Sequence, residues 1–193
     1  MLTLRVASPE DGAVLSEIYA YYVDTSAISY EYVAPTAAEF SERISHKLEK
    51  YPFIVAELDG VPVGYAYASE YRERAAYDWC VELSVYVSRH CTSRGVGTAL
   101  YTALPELLRL QNVVSAYSAI TIPNDASIAL HEKMGFSFVG KFHASGYKMG
   151  KWWELCWYEK QLNPLVSDPP AVIPFPQLDA QAVQTILKNA ERS

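Results

Sequence analysis

The sequence predicts a single domain of mixed α and β structure, and three observations support this prediction. Short apolar runs with strand-like alternation and segments with a helical period follow one another along most of the chain. Half of the 193 residues are hydrophobic, which suits one core better than two. Five prolines then lie between Asn163 and Pro176. We therefore expect a domain over residues 1–162, followed over 163–193 by a proline-rich linker and a terminal amphipathic helix.

The first elements expected are a strand, a helix, a loop and a second helix. LTLRVA alternates like a strand, and SPED after it supplies the N-cap serine, N1 proline and N3 aspartate of a helix start. The stretch TSAISYEYVAPT, which includes Tyr30, has no helical period. Thr36 and Glu39 fit a capping box for a helix that reaches about Lys50.

The rest of the domain alternates strands with helices. FIVAEL and VPVGYAYASEY predict a hairpin, because the Asp-Gly pair between them is a strong turn signal. YDWCVELSVYV predicts a strand, and a helix should run from about Gly95 to Leu110, where Pro105 should kink it or start a new turn. Three later strands are predicted, at VVSAYSAIT, FSFVGKFH and WWELCWYEKQL. A short helix that ends at its glycine is predicted at NDASIALHEKMGF, and the terminal helix is predicted at LDAQAVQTILKNAER.

Composition excludes several classes of function. A formal net charge of −6 argues against nucleic acid, whose phosphates require a basic surface. Cys80, Cys91 and Cys156 show no C-x-x-C spacing, and four scattered histidines show no ligand pairing, so neither disulfides nor a metal site is indicated. No leader-like segment or apolar run of ~20 residues is present. We expect a soluble cytoplasmic protein without a metal, a nucleic-acid partner or a membrane partner.

The stretch SRHCTSRGVGTAL lies between a predicted strand and a predicted helix. Backbone N–H groups at such a helix start, together with the helix dipole, can bind an anion such as a phosphate. Gly95 and Gly97 permit close approach of a pyrophosphate, and Arg94 can add charge-assisted hydrogen bonds. An ordinary strand-to-helix turn is the alternative. The third glycine of a dinucleotide fingerprint and the lysine of a P-loop are both missing.

The residues Thr92 to Gly97 resemble the acyl-CoA pyrophosphate loop of the GNAT superfamily of N-acetyltransferases. That loop follows the pattern Q/R-x-x-G-x-G/A, and only Thr92, which stands in place of Gln or Arg, departs from it. IPNDASIALHEKMGF is similar to a later motif of the superfamily, in which an asparagine near a helix start meets the pantetheine arm. Asn124 and Ser127 match that motif, and His131 stands where many members have a tyrosine near the thiol.

Three further stretches narrow the resemblance. The phosphinothricin acetyltransferase and methionine-derivative acetyltransferase branch has stretches similar to VELSVYVS, EYRERAAYDW and SGYKMGKWWEL. The resemblance to this branch extends from about Leu4 to Leu162. The resemblance implies the GNAT-type acyl-CoA N-acyltransferase fold, an α/β (α+β) fold whose mixed, mostly antiparallel central sheet is flanked by helices. It also implies acetyl-CoA as co-substrate, bound by Val85, Tyr86, Val87, Thr92, Ser93, Arg94, Gly95, Val96, Gly97, Thr98, Asn124 and Ser127.

Glu82 is the candidate general base. An amino group is mostly protonated at pH 7 and must lose a proton before it attacks a thioester. Glu82 lies in an otherwise apolar strand, where burial would raise its pKa to a useful value. A glutamate on a polar face, or one paired with an arginine, is the alternative, and the matching glutamate of the resembled family favours the base.

The resemblance places the other catalytic groups around this strand. A backbone N–H near Val85, on a strand splayed by a bulge, should bind the oxyanion of the tetrahedral intermediate, and Val85 to Val87 should pair with pantetheine like an added strand. His131 is the candidate that protonates or stabilises the departing thiolate, or assists the base through water. Alternatively, it is a capping or packing histidine.

We expect the segment before the strand that contains Glu82 to form the acceptor site. Arg72, Arg74 and Tyr77 match residues that contact or shape the acidic amino-acid site in the resembled branch, although Glu73 between the arginines can pair with either. Tyr30 is a further candidate for that pocket. Since this loop can project to a neighbouring subunit, and the resembled branch is dimeric, we expect a two-fold homodimer in which the loop helps close the substrate site.

These observations predict an N-acetyltransferase that moves an acetyl group directly to the α-amino group of a small amino-acid-like acid. Phosphinothricin, methionine sulfoximine, methionine sulfone and ordinary amino acids all remain open as acceptors. Acetylation of a protein N-terminus or a polyamine is the alternative reaction, and it would require a peptide groove or an acidic pocket. A non-catalytic CoA-binding regulatory module is the alternative of another class, and the presence of Glu82 disfavours it.

Overall fold

The computed structural model describes residues 1–92 and 94–192, and every strand and helix expected from the sequence is present in it. The strands are β1 (Leu2–Val6), β2 (Phe53–Leu58), β3 (Val61–Glu70), β4 (Cys80–Val87), β5 (Ser115–Ile122), β6 (Ser137–Lys148) and β7 (Lys151–Gln161). The helices are α1 (Gly12–Thr25), α2 (Ala37–Leu48), α3 (Val96–Leu110), α4 (Asp125–Lys133) and α5 (Ala180–Ala190).

Local chemistry sets several of these boundaries. The Thr36 hydroxyl accepts the Glu39 amide at 3.2 Å while the Glu39 carboxylate accepts the Thr36 amide at 2.7 Å, so the predicted capping box starts α2. Asp59 and Gly60 both have positive φ, at 51° and 80°, as a tight hairpin turn between β2 and β3 requires. α3 continues through the buried Pro105 as one helix.

The seven strands of the described chain form one sheet in the order β1-β2-β3-β4-β5-β7-β6. All neighbours are antiparallel except β4 and β5, which are parallel. This mixed, mostly antiparallel sheet with helices on both faces confirms the predicted fold class. β7 lies between β5 and β6, a non-local order that sequence pattern did not reveal.

The parallel pair is short, and the sheet opens beyond it. β4 and β5 pair only from Cys80 with Ser115 to Glu82 with Tyr117. The rest of β4 pairs with β3 alone, and the rest of β5 pairs with β7 alone. The expected bulge in β4 is wrong, since its register with β3 runs unbroken from Glu70 to Gly64. The opening arises because the two central strands diverge after Glu82.

Two apolar clusters cover the two faces of the sheet. One contains the buried face of α3, including Leu100, Leu104 and Leu107, and the other joins α1 and α2 through Leu15 and Ile44. Full burial of each such side chain contributes about 1.5–3 kcal/mol, so these contacts hold the helices on either side of the opening.

The C-terminal segment packs on the same chain. Phe175, Val183 and Leu187 are buried in the α3 cluster, and α5 contacts α3 and β1. The carboxylate of Glu191 accepts the Leu4 amide at 2.9 Å. The terminal amphipathic helix therefore docks on its own domain. None of the described helices is both long and apolar enough to cross a membrane.

Candidate active site

Two adjoining cavities lie in the opening between β4 and β5. The cavity beside Glu82, here called the Glu82 cavity, has a volume of about 600 Å³. The cavity beside the start of α3, here called the loop cavity, has about 580 Å³. Four residues line both cavities: Ile28, Val85, Asn124 and Ser127. The cavities therefore meet where β4 separates from β5.

Glu82 is the last β4 residue paired with β5, so its side chain stands at the start of the opening and lines the Glu82 cavity. Burial raises the pKa of this carboxyl, while the charges of Lys47 and Arg72 oppose the shift. No cation within the described residues lies within 4.0 Å of it. The carboxylate is thus available to a ligand, and the pKa shift has the direction expected of a group that exchanges protons near neutral pH.

His131 is 2% exposed and is held at both ring nitrogens. Nδ1 lies 2.7 Å from the Ser127 carbonyl oxygen, so Nδ1 carries a hydrogen and donates it. Nε2 lies 3.1 Å from the Tyr101 hydroxyl and accepts from it. Burial lowers the pKa of the imidazole, which keeps it neutral at pH 7. His131 thus combines a packing position with a defined tautomer.

Tyr101 lines the Glu82 cavity, and sequence reasoning did not predict it. Its hydroxyl lies 3.4 Å from the Ser118 Oγ as well as next to His131, and all three residues line the Glu82 cavity. Burial raises the pKa of the phenol far above neutrality, so the hydroxyl keeps its proton. In the sequence, Tyr101 occupies an apolar position of α3 like those around it. Only the packing of α3, α4 and β5 brings it to the cavity.

The loop cavity lies at the start of α3. Gly95 caps this helix with φ at 79°, a left-handed conformation that favours glycine. At Gly97 a Cβ would lie 3.1 Å from a Leu130 side-chain carbon, so glycine lets α3 approach α4 closely. The Tyr22 hydroxyl, which sequence reasoning missed, donates to the Val87 carbonyl at 2.5 Å. Backbone N–H groups and the positive helix end make this a suitable anion site.

Most of the residues predicted for acetyl-CoA lie around these cavities. Those lining the loop cavity are Val85, Val87, Thr92, Gly95, Val96, Gly97, Thr98, Asn124 and Ser127. Tyr86 lines the Glu82 cavity instead. Arg94 is exposed and lines neither cavity. Ser93 lies outside the described residues.

The predicted acceptor residues are divided between two places. Tyr30 lines the Glu82 cavity together with Glu82 and His131. Arg72 lines a separate surface groove that also includes Lys47, and its guanidinium carbon lies 5.0 Å from the Tyr71 ring centre.

The other two acceptor candidates lie on the same β3–β4 loop. Arg74 is exposed, and the Tyr77 ring meets Tyr71 edge-on at 5.8 Å. Tyr71 in turn stacks on Tyr117 at 4.6 Å. Within one chain, then, Arg72, Arg74 and Tyr77 lie beside the cavity rather than in it. Lining residues that sequence reasoning missed include Ser29, Glu31 and Trp157.

Fold and site together define the class of protein. Three features fit an acyltransferase that binds a long phosphate-bearing thioester. The sheet opens between two parallel strands, the following helix offers an anion site, and a partly buried carboxylate lies where the opening begins. Comparison with known proteins gives the family. The model of the acetyltransferase (GNAT) domain matches residues 4–157. The chain belongs to the GNAT acetyltransferase family.

Individual relatives confirm the branch indicated by the motifs. The chain is 35% identical to the phosphinothricin N-acetyltransferase of Streptomyces viridochromogenes, over 91% of this chain and 95% of that one. It is 31% identical to the L-methionine sulfoximine/L-methionine sulfone acetyltransferase of Salmonella typhimurium, over 84% and 95%. A crystal structure of a phosphinothricin acetyltransferase from Sinorhizobium meliloti in complex with acetyl-CoA superposes with a TM-score of 0.84 at 33% identity, covering 91% and 96%.

Proposed function

We propose that this protein transfers an acetyl group from acetyl-CoA directly to the α-amino group of a small amino-acid-like acid of the phosphinothricin, methionine sulfoximine or methionine sulfone type. One observation carries the proposal. The Glu82 cavity and the loop cavity meet at Val85, Asn124 and Ser127, so a donor bound in one meets an acceptor bound in the other beside Glu82. The names of the relatives support the choice of donor and acceptor.

The donor fits the loop cavity. Its pyrophosphate would accept hydrogen bonds from the N–H groups at the start of α3. Its pantetheine arm would run along the stretch of β4 from Val85 to Val87, whose side toward β5 has no strand partner within the described chain. The thioester would then lie at the junction of the two cavities.

The chemistry follows from the groups at that junction. The Glu82 carboxylate takes one proton from the acceptor ammonium, directly or through water, and the freed amine attacks the thioester carbonyl. A backbone N–H near Val85 binds the developing oxyanion. When the C–S bond breaks, the second proton of the attacking nitrogen ends on sulfur. The reaction therefore releases one proton overall, which Glu82 returns to solvent.

His131 acts in this scheme through Tyr101. Since Nδ1 is occupied by the Ser127 carbonyl and Nε2 by the Tyr101 hydroxyl, the neutral imidazole holds that hydroxyl in the Glu82 cavity. The Tyr101 hydroxyl has one hydrogen, so it can stabilise the departing thiolate, the role first assigned to His131, only by turning that hydrogen from Nε2 to the sulfur. No residue needs to carry the acetyl group covalently.

The acceptor enters beside Tyr30, and we propose that Arg72 and Arg74 attract its anionic group from the adjacent loop. A polyamine would instead need unpaired carboxylates. Glu31, the other carboxylate that lines the cavity, is bound by both terminal nitrogens of Arg43 at 2.7 and 3.1 Å. The pairing of Glu31 supports an amino-acid-like acid over a polyamine.

We further propose a cytoplasmic homodimer. The three cysteines are free, as in a reducing compartment. β6 is an edge strand, and the β6–β7 hairpin exposes large apolar side chains, namely Phe138, Val139, Phe142, Tyr147, Met149 and Trp152. Such a patch is a candidate for covering by a second copy.

The direct test is CoA release by the purified protein with a panel of acceptors at equal concentration. We expect turnover with phosphinothricin, methionine sulfoximine or methionine sulfone and none above background with spermidine or with peptides that offer a free N-terminus. Turnover confined to the polyamine or the peptides would overturn the acceptor assignment. No turnover with any acceptor, together with acetyl-CoA binding, would favour the regulatory module.

A further inference from the structure

The stretch SGYK at the C-terminal end of β6, residues 145–148, contacts the segment that forms one side of the Glu82 cavity. That segment, here called the acceptor loop, comprises residues 26–35 between α1 and α2. Four of its residues line the cavity: Ile28, Ser29, Tyr30 and Glu31. None of the four SGYK residues lines the cavity itself. The SGYK stretch therefore lies behind the acceptor loop as seen from the cavity.

Gly146 leaves the space that the Tyr30 ring occupies. A Cβ at Gly146 would lie 2.5 Å from two carbons of that ring, a distance that Cβ atoms do not show. The backbone of Gly146 does not have a positive φ, so the requirement for glycine is steric. Beside it, the Tyr30 hydroxyl lies 3.4 Å from the Ser145 Oγ, and the Tyr32 hydroxyl donates to the Tyr147 carbonyl.

Lys148 fixes the same loop through its backbone. The side chain is buried, and its ammonium donates to the carbonyl oxygens of Ser29 and Val23, both at 2.7 Å. No carboxylate within the described residues forms an ion pair with it. Val23 lies in the last turn of α1, where free carbonyls favour a cation. The ammonium thus ties Ser29 to the end of α1.

The acceptor loop is also held from its other side. The Ser29 Oγ lies 2.6 Å from the Tyr19 hydroxyl, which in turn lies 3.0 Å from the Glu31 carboxylate. Arg43 binds that carboxylate with two hydrogen bonds. The loop therefore has fixed contacts on either side of Tyr30, and a displacement of that ring cannot be absorbed by free movement of its neighbours.

We propose that Gly146 and Lys148 are positioning residues for acceptor binding, which act by placing Tyr30 and Ser29 at the face of the Glu82 cavity that receives the amino-acid acceptor. The inference rests on the proposed function and extends it to a part of β6 outside the cavity. Neither residue lines the loop cavity, and Tyr30 and Ser29, which they contact, line only the Glu82 cavity, so both residues should affect the acceptor far more than the donor.

The first test compares two alanine substitutions in the same strand. Gly146→Ala should raise KM for the acceptor about tenfold or more, because displacement of a contact residue by about 1 Å weakens binding strongly, while KM for acetyl-CoA changes less than about twofold. Gly140→Ala is the matched control. A Cβ at Gly140 meets nothing within 4 Å, so both KM values should stay near those of the wild type.

A double-mutant cycle shows whether Gly146 acts through the Tyr30 ring. Tyr30→Ala alone should raise the acceptor KM, and Gly146→Ala added to it should have almost no further effect, because the ring that clashed is gone. Melting temperatures should follow the same pattern. Gly146→Ala should lower Tm by about 2–4 °C in the wild-type background and by much less in Tyr30→Ala.

Lys148→Met supplies an independent variant that keeps an unbranched side chain of nearly the same length and removes the ammonium. It should raise the acceptor KM and spare the acetyl-CoA KM, whereas a merely structural role would lower the active fraction and leave both KM values unchanged. An acceptor KM that is unchanged in both Gly146→Ala and Lys148→Met would overturn the inference while the proposed function stands. If the wild type acetylates no amino-acid acceptor, the proposed function fails and the inference fails with it. In that case the melting temperatures of the double-mutant cycle test only the contact between Gly146 and Tyr30.

Discussion

At the scale of single residues, Glu82 combines partial burial with access to a cavity. Burial raises its pKa, and the carboxylate, not the acid, accepts a proton. The rate should therefore fall as pH drops through this raised pKa, giving the acidic limb of the pH profile of kcat/KM. Glu82→Gln should lower kcat by about 10²- to 10⁴-fold, with the affinity for acetyl-CoA nearly unchanged, and should abolish that limb.

The control for this prediction is Glu159→Gln, which changes an exposed glutamate of β7 that lines neither cavity. It should leave kcat and the pH profile as in the wild type. Turnover by Glu82→Gln within about threefold of the wild type at neutral pH would transfer the role of base to water or to the Tyr101–His131 pair.

Residues differ in how far the sequence could predict them. Glu82 and Gly95, which line the two cavities, could be proposed from the sequence because each has a local signal, a carboxylate in an apolar strand and a glycine where a strand turns into a helix. Tyr101 was missed because its role depends on His131 and Ser118, which belong to other elements 30 and 17 residues away. The tautomer of His131 likewise depends on two partners that only packing supplies.

At the scale of elements, the start of α3 can be tested by its left-handed glycine. Gly95→Val strains a position with φ at 79° and displaces the N–H groups that would bind pyrophosphate. In the wild type, acetyl-CoA should raise Tm by mass action, and Gly95→Val should abolish this shift. Differential scanning fluorimetry with and without acetyl-CoA measures it.

Gly60→Val is the matched control for backbone strain. Gly60 has φ at 80°, no neighbour within 4 Å of a Cβ, and a place in the β2–β3 turn outside both cavities. Both variants should lower the basal Tm, but Gly60→Val should keep the full shift with acetyl-CoA. An intact shift in Gly95→Val would remove this loop from the donor site.

Element boundaries were predictable where capping and turn chemistry is local, as at the start of α2 and in the β2–β3 hairpin. The opening of the sheet was expected at the right strand but for the wrong reason. A bulge was predicted in β4, whereas in the structure the β4–β5 pairing ends at Glu82 and Tyr117, and β5 beyond Tyr117 pairs with β7 alone. Strand order is set by long-range pairing, which short-range periodicity does not encode.

At the scale of the whole molecule, the proposed dimer and the β3–β4 loop make one joint prediction. Arg72→Ala and Arg74→Ala should raise KM for an acidic amino-acid acceptor with little effect on KM for acetyl-CoA, because the lost contacts are with the anion of the acceptor. Light scattering should show a dimer. A fully active monomer at the assay concentration would contradict the dimer, and an unchanged acceptor KM in both variants would contradict the assignment of the arginines.

The short parallel pair between β4 and β5 also has a consequence for unfolding. Three residue pairs join a half-sheet of β1 to β4 to a half-sheet of β5 to β7, so the two halves share few backbone hydrogen bonds. Native-state hydrogen exchange of the free protein should therefore show two groups of amides with different opening free energies. A pantetheine arm along Val85 to Val87 would bridge the halves, and bound acetyl-CoA should bring the two groups together into one cooperative unit. Equal opening free energies in the free protein would show that the helices alone already couple the halves.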